Sequence, residues 1–115
     1  MSRGVREFSV ANVEKCEPTQ VILIGRNFAH PLTIGDRFYR SYRLDEPQAG
    51  DRYSDPWVAV DEQSVDLRID RIESYGASIE KLGPGMTARL ELSGKGVDRV
   101  EDGRILALIV NEPPA

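Results

Sequence analysis

Val65-Asp66-Leu67-Arg68-Ile69-Asp70 sets apolar and charged residues in strict alternation. Successive side chains of a strand point to opposite faces, so Val65, Leu67 and Ile69 share one face and Asp66, Arg68 and Asp70 the other. The pattern predicts a half-buried strand, with a core on one side and water on the other. The phase slips at Arg71-Ile72, which predicts a β-bulge or a strand end.

The same period recurs on both sides of this stretch. Towards the C-terminus, Gly83-Pro84-Gly85 marks a turn, and Met86 to Leu92 resumes alternation with Ala88, Leu90 and Leu92 inward. A single helical turn is expected over Val97 to Glu101. Arg104 to Val110 reads as a buried closing strand, and Asn111 to Ala115 as a polar, proline-ended tail. Towards the N-terminus, Glu7 to Val13 places Phe8 and Val10, with Asn12 next in phase, on one face. Glu17-Pro18-Thr19 breaks that strand. Val21-Ile22-Leu23-Ile24 is a continuous apolar run suited to a strand covered on both faces, and Gly25 after it suits a bulge or a close backbone approach. A turn over Pro31 to Asp36 leads into a third strand, Arg37 to Leu44. From about residue 45 to 64 the chain reads as a long polar loop inserted after that strand, with a short strand at Trp57 to Val60 as an option. Six or seven short strands without a long helix predict an all-β fold, a closed or nearly closed six-stranded β-barrel or else a sandwich.

The chain has 115 residues, enough for a single domain over 1–115. It is 40% apolar and 30% charged, the balance of a soluble globular protein, and its longest apolar run, Ile105 to Val110, falls far short of a membrane span. One cysteine, Cys16, excludes an internal disulfide framework; with no signal-peptide pattern at the start, a cytoplasmic protein is expected. The net charge of −4 supplies no global field for phosphates. Catalysis has little to draw on. His30 is the only histidine and stands beside Pro31 in an expected turn, and Gly94-Lys95-Gly96 lacks the Ser or Thr of a phosphate loop. No cofactor or metal site is expected, and the protein reads as a non-enzyme.

Two ordered stretches carry a family resemblance. The first is Phe8 to Phe38, with Val21-Ile22-Leu23-Ile24-Gly25-Arg26 and Ile34-Gly35-Asp36-Arg37-Phe38. The second runs from Gly85 through Met86-Thr87-Ala88-Arg89-Leu90-Glu91-Leu92-Ser93-Gly94 to Glu101-Asp102-Gly103-Arg104-Ile105-Leu106-Ala107. In order and spacing these resemble the second domain of translational GTPases such as elongation factor Tu, standing here without a GTPase domain. The resemblance implies a closed six-stranded barrel without a catalytic centre, of a kind that docks onto RNA, the ribosome or neighbouring domains. Where the family's first strand brings an acidic pair and an aromatic, this chain has Ala11, Asn12 and Glu14. Glu17-Pro18-Thr19-Gln20 replaces the family's glycine-rich turn.

Two candidate sites emerge. Arg37-Phe38-Tyr39-Arg40-Ser41-Tyr42-Arg43 interleaves arginines with aromatics, so Arg37, Tyr39, Arg40, Tyr42 and Arg43 could track a phosphate backbone and stack on bases. On a regular strand Arg37, Tyr39, Ser41 and Arg43 share a face; alternatively Phe38, Tyr42 and Leu44 face the core while the arginines pair with acids of the following loop. In that loop Asp51, Tyr53, Asp55 and Trp57 set aromatics among acids, the composition of a protein-binding surface, with a solvated insertion as the other reading. The expected function is a non-catalytic binding module for another protein, one version being an inhibitor or immunity-type partner. An RNA- or ribosome-binding accessory domain is the alternative. No membrane contact is expected, and the oligomeric state stays open.

Overall fold

The computed structural model describes residues 7–45 and 58–108. Nine strands form there: β1 Phe8–Cys16, β2 Gln20–Asn27, β3 Leu32–Thr33, β4 Arg37–Asp45, β5 Val58–Ser74, β6 Ala77–Ile79, β7 Lys81–Leu82, β8 Thr87–Lys95 and β9 Ile105–Leu108. A single 3-10 turn, Val97–Arg99, stands before β9, within the expected helical turn. The strands pair in the order β4-β9-β1-β2-β8-β5, and β5 returns to β4, so six strands close into a ring. Every pairing in it is antiparallel. Closure removes the free edges that an open sheet would offer to other chains.

The ring is filled by the residues that period two marks as inward. Val65, Leu67 and Ile69 of β5, and Ala88, Leu90 and Leu92 of β8, are all buried beside Phe8, Val10, Phe38 and Leu106. The slip at Arg71 is a real irregularity, for the β5–β8 register shifts between Ile69 and Arg71. Elsewhere the alternation is less simple than it reads. A register shift between Val10 and Asn12 turns Asn12 out to solvent. Within the apolar run of β2, Val21 and Leu23 are buried while Ile22 and Ile24 are half-buried, so one face of that strand is core rather than both.

Two glycines let the ring close. A Cβ at Gly25 would lie 2.5 Å from a ring carbon of Phe8, and one at Gly94 would strike the Asp66 carbonyl oxygen of β5. Gly94 also holds φ at 138°, beyond the comfortable range of an L side chain. Over the Gly94-Lys95-Gly96 stretch β8 thus lies against Val65 and Asp66 of β5 with no room for a side chain at either glycine.

Part of the insertion expected over 45–64 is strand. Asp45 ends β4, and Val58 to Ser64 form the first part of β5, paired with β4 from Asp45↔Val58 to Arg40↔Ser64. The acids Asp61 and Glu62 gave this stretch a loop-like composition, yet strand pairing overrides it. Residues 46–57 and the tail 111–115 lie outside the described residues.

At the end of the ring near Arg37, the small β3–β7 pair covers the core with Leu32 and Leu82. Asn27 fastens it. Its side-chain Nδ2 donates to the His30 and Leu82 carbonyls at 2.8 and 3.2 Å, its N–H donates to Met86 O, and its carbonyl accepts from Gly85 N–H. A buried amide satisfied on all these sides stabilises rather than strains the core.

Candidate recognition site

Strand β4 carries most of the expected RNA-binding residues, and the structure separates them. Register shifts between Phe38 and Arg40, and again between Ser41 and Arg43, break the shared face of Arg37, Tyr39, Ser41 and Arg43. Ser41 is buried inside, and Tyr42 is buried in a second small cluster with Ile105 and Ala107, onto which Leu44 and Ala59 pack. Phe38 joins the main core. Tyr39 is half-exposed and borders a cleft of about 390 Å3 with His30, Asp36, Arg37 and Leu108.

Each arginine of β4 meets a carboxylate. Arg37 bonds Asp66 at 2.8 Å, Arg40 bonds Glu62 at 3.1 Å, and Arg43 stands 3.6 Å from Glu101. The hydrogen bond from Arg37 to Asp66 raises the proton affinity of that guanidinium still further. Arg40 also lies over the Tyr42 ring, 4.9 Å from its centroid. Of the three partner acids only Glu62 comes from the stretch that reads as loop; Asp66 lies further along β5 and Glu101 follows the 3-10 turn. Exposed pairs of this kind contribute roughly 0–1 kcal/mol each to stability. Their larger effect is to cancel the positive strip along β4.

Beyond the Tyr42↔Ile105 pair no β9 partner of β4 is described, and before Asp66↔Lys95 no β8 partner of β5. Over Arg43–Asp45 and Val58–Val60 the two strands pair with each other and, among the described residues, with no third strand, which makes a short two-stranded arm. The segment joining the two strands of this arm, residues 46–57, contains Asp51, Tyr53, Asp55 and Trp57, all outside the described residues.

A buried arginine holds the root of the arm. Arg104 is 1% exposed and lies in phase with inward-facing Leu106. Its Nε donates to Ser41 Oγ at 2.6 Å and its Nη2 to Ser41 O at 3.0 Å; its Nη1 donates to Asp61 Oδ2 at 2.8 Å, and the Asp61 carbonyl also accepts from it. Ser41 Oγ in turn donates to Arg99 O. Asp61 and Glu101, the latter at 3.7 Å, supply the negative charge that a buried guanidinium requires. The hydrogen bond from Arg104, helped by one from Gln63 and by the charge of Arg104, lowers the Asp61 pKa below the ordinary aspartate range. Asp61 adopts φ 51°, an unusual conformation stabilised here by bonds to both its carboxylate and its carbonyl. Sequence reading missed Arg104 as a site, although its place in the inward phase of the Arg104-Ile105-Leu106 alternation was a usable signal.

At the opposite end of the ring, burial raises the Glu7 carboxyl above the ordinary glutamate range, opposed by the charges of His30 and Arg40 and by a hydrogen bond to the Leu108 backbone. Among the described residues no three His, Cys, Asp or Glu side chains gather as a metal site. No helix there is long and apolar enough to cross a membrane. Compared with known proteins, the chain matches no family model, no curated protein and no solved structure.

Proposed function

We propose that this chain is a non-catalytic module for protein recognition, with its contact residues on the acidic, aromatic segment that joins β4 to β5. The observation that carries this reading is the Arg104 clamp. A buried, fully engaged guanidinium fixes the root of a two-stranded arm, and fixing the root lowers the ordering cost of whatever the joining segment binds. Asp51, Tyr53, Asp55 and Trp57 are then the contact residues, aromatics supplying buried area and acids the electrostatic match to a basic partner. An inhibitor or immunity-type role, acting in the cytoplasm, fits that chemistry.

RNA binding through β4 has less support, because Arg37, Arg40 and Arg43 are each engaged by a carboxylate. For the finer fold we propose a β-barrel of the type found in the second domain of translational GTPases. Its support is the six-stranded ring together with the glycines that carry the resemblance: Gly25 at a close approach, and Gly35, Gly85 and Gly103 in turns at positive φ.

The test is affinity capture from nuclease-treated native lysate, comparing the natural chain with a Tyr53→Ala/Trp57→Ala variant. A defined protein held by the first through moderate salt and lost by the second supports the reading. Material recovered only when nuclease is omitted, and equally by both chains, overturns it in favour of RNA.

A further inference from the structure

Tyr75 and Gly76 form the two-residue turn between β5 and β6, with Ser74 paired to Ala77 across it. Both central residues have positive φ, 53° and 79°, a turn geometry in which Asn-Gly is the low-strain sequence. A bulky aromatic in the left-handed region is a genuine outlier. Tyr75 is also 94% exposed, so packing against the described residues does little to offset its conformation. It lines a groove of about 240 Å3 whose other walls include Ile24, Ala88 and Arg89.

The charges beside the groove differ from one another. Arg89 is engaged by Glu14 at 2.6 Å and has Glu73 and Glu91 within 4.0 Å. Arg26 is paired with Thr87 across the β2–β8 ladder on the same outer face, and Thr87 also lines the groove. Arg26 has no carboxylate partner among the described residues; its guanidinium lies 5.3 Å from the centroid of exposed Phe28. The face therefore offers an exposed tyrosine, an apolar slot and one positive charge without a carboxylate partner among the described residues.

We propose that this face is a second recognition surface, which takes a short segment of a partner protein carrying an apolar side chain next to a carboxylate. The apolar side chain enters the groove against Tyr75 and Ile24, and the carboxylate meets Arg26. Tyrosine and arginine are the residue types that most often dominate protein-binding energy. Nucleic acid suits the face poorly, because Glu73 lines the groove, Glu91 stands 3.9 Å from its Arg89, and a single cation does not track a phosphate chain. A second copy of the chain suits it poorly as well, since the groove admits one or two side chains whereas stable interfaces bury about 1,000 Å2 or more. The surface is separate from the proposed contact segment, lying past the opposite end of β5.

The test is an amide chemical-shift titration of the full chain with the end-blocked peptide Ser-Glu-Leu-Ser, its Gln counterpart in place of Glu, and oligouridylate. The expected result is shifts at Arg26, Ile24, Gly76 and Ala88 with the Glu peptide. Binding should weaken about fivefold for the Gln peptide or for Arg26→Gln, and about tenfold for Tyr75→Asn. Tyr75→Asn should lose binding without losing thermal stability, which separates a contact residue from a structural one. Tyr53→Ala/Trp57→Ala should leave the titration unchanged, so this surface and the β4–β5 segment stand or fall separately. The proposal is overturned if millimolar peptide shifts none of these residues or if the Gln peptide binds equally. Oligouridylate occupying the same face, or self-association that Tyr75→Asn abolishes, also overturns it.

Discussion

Asp61, near the start of β5, and Tyr75, just past its end, both hold positive φ without being glycine, at 51° and 53°. Their surroundings are opposite. Asp61 is met by Arg104 on its carboxylate and its carbonyl, and the arginine that meets it is buried and bonded to Ser41 as well. Tyr75 is met by nothing of comparable weight and points into solvent. The same backbone irregularity is thus answered from within at one end and left unanswered at the other. The first has the form of a structural fastening; the second is the residue that the proposed recognition surface would use as a contact.

The strongest way to break the comparison is to disconnect the two ends. Gly94→Ala would drive a Cβ into the Asp66 carbonyl at the middle of β5 and force an L side chain to φ 138°. Overpacking against backbone should cost about 3 kcal/mol or more, visible as a lower urea midpoint or as failure to fold, with both ends of β5 affected together. Arg104→Ala acts on one end only. It removes a buried guanidinium and leaves Ser41 O without its donor, a loss on the order of 3 kcal/mol from cavity and unmet polar groups. Faster hydrogen exchange at residues 58–61, with the Tyr75 turn unchanged, is the expected signature; equal loosening at both ends would dissolve the distinction.

Titration sharpens the contrast further. The Asp61 pKa is depressed in the fold, so its contribution is fully present above the ordinary aspartate value near ~3.9 and is lost as pH falls through the lower folded value. Acid unfolding of Asp61→Asn should therefore show a shallower low-pH limb than the natural chain. Glu7 has the opposite sign. Its folded pKa is raised, so the fold is favoured with Glu7 protonated and loses that advantage as pH rises through the folded value. Glu7→Gln should be more stable than the natural chain at neutral pH, and the gain should vanish below the ordinary glutamate range. The smallest expected effect is at the other end of β5, where Tyr75→Asn should raise the melting temperature by about 2–5 °C by relieving the turn. A fall would mean that Tyr75 is held by contacts within the fold.

Much of the architecture was legible because period two is a direct consequence of strand geometry. Val65-Leu67-Ile69 and Ala88-Leu90-Leu92 are buried as their spacing required. What alternation cannot reveal is a bulge that no apolar residue reports. The one in β4, between Phe38 and Arg40, pairs Ser41 with inward Leu106 and leaves Tyr42 buried in the second cluster with Ile105 and Ala107, which dissolves the cationic, aromatic face expected there. Nor does composition distinguish a charged loop from a charged strand: Asp61 and Glu62 read as loop, yet they face the arginines of a neighbouring strand and the buried end of Arg104. One of the two readings of β4 paired its arginines with acids of the following loop; only Arg40 does so, with Glu62, while Asp66 and Glu101 come from elsewhere. Tyr75 was invisible for a simpler reason. A lone tyrosine before a glycine carries no pattern, and only the backbone angle and the exposure set it apart.

The way the ring closes has a consequence for synthesis. Strand β9, at residues 105–108, sits between β4 and β1 and hydrogen-bonds to both. Until it leaves the ribosome, Phe8 and Phe38 have no wall on that side, and the flanks of β1 and β4 stay open. Joining them needs contacts across about a hundred residues, the kind of long-range pairing that folds slowly. A nascent chain stalled just short of Ile105 would hold most of its strands and still display two unfinished edges, which is when other chains, or a chaperone, could claim it.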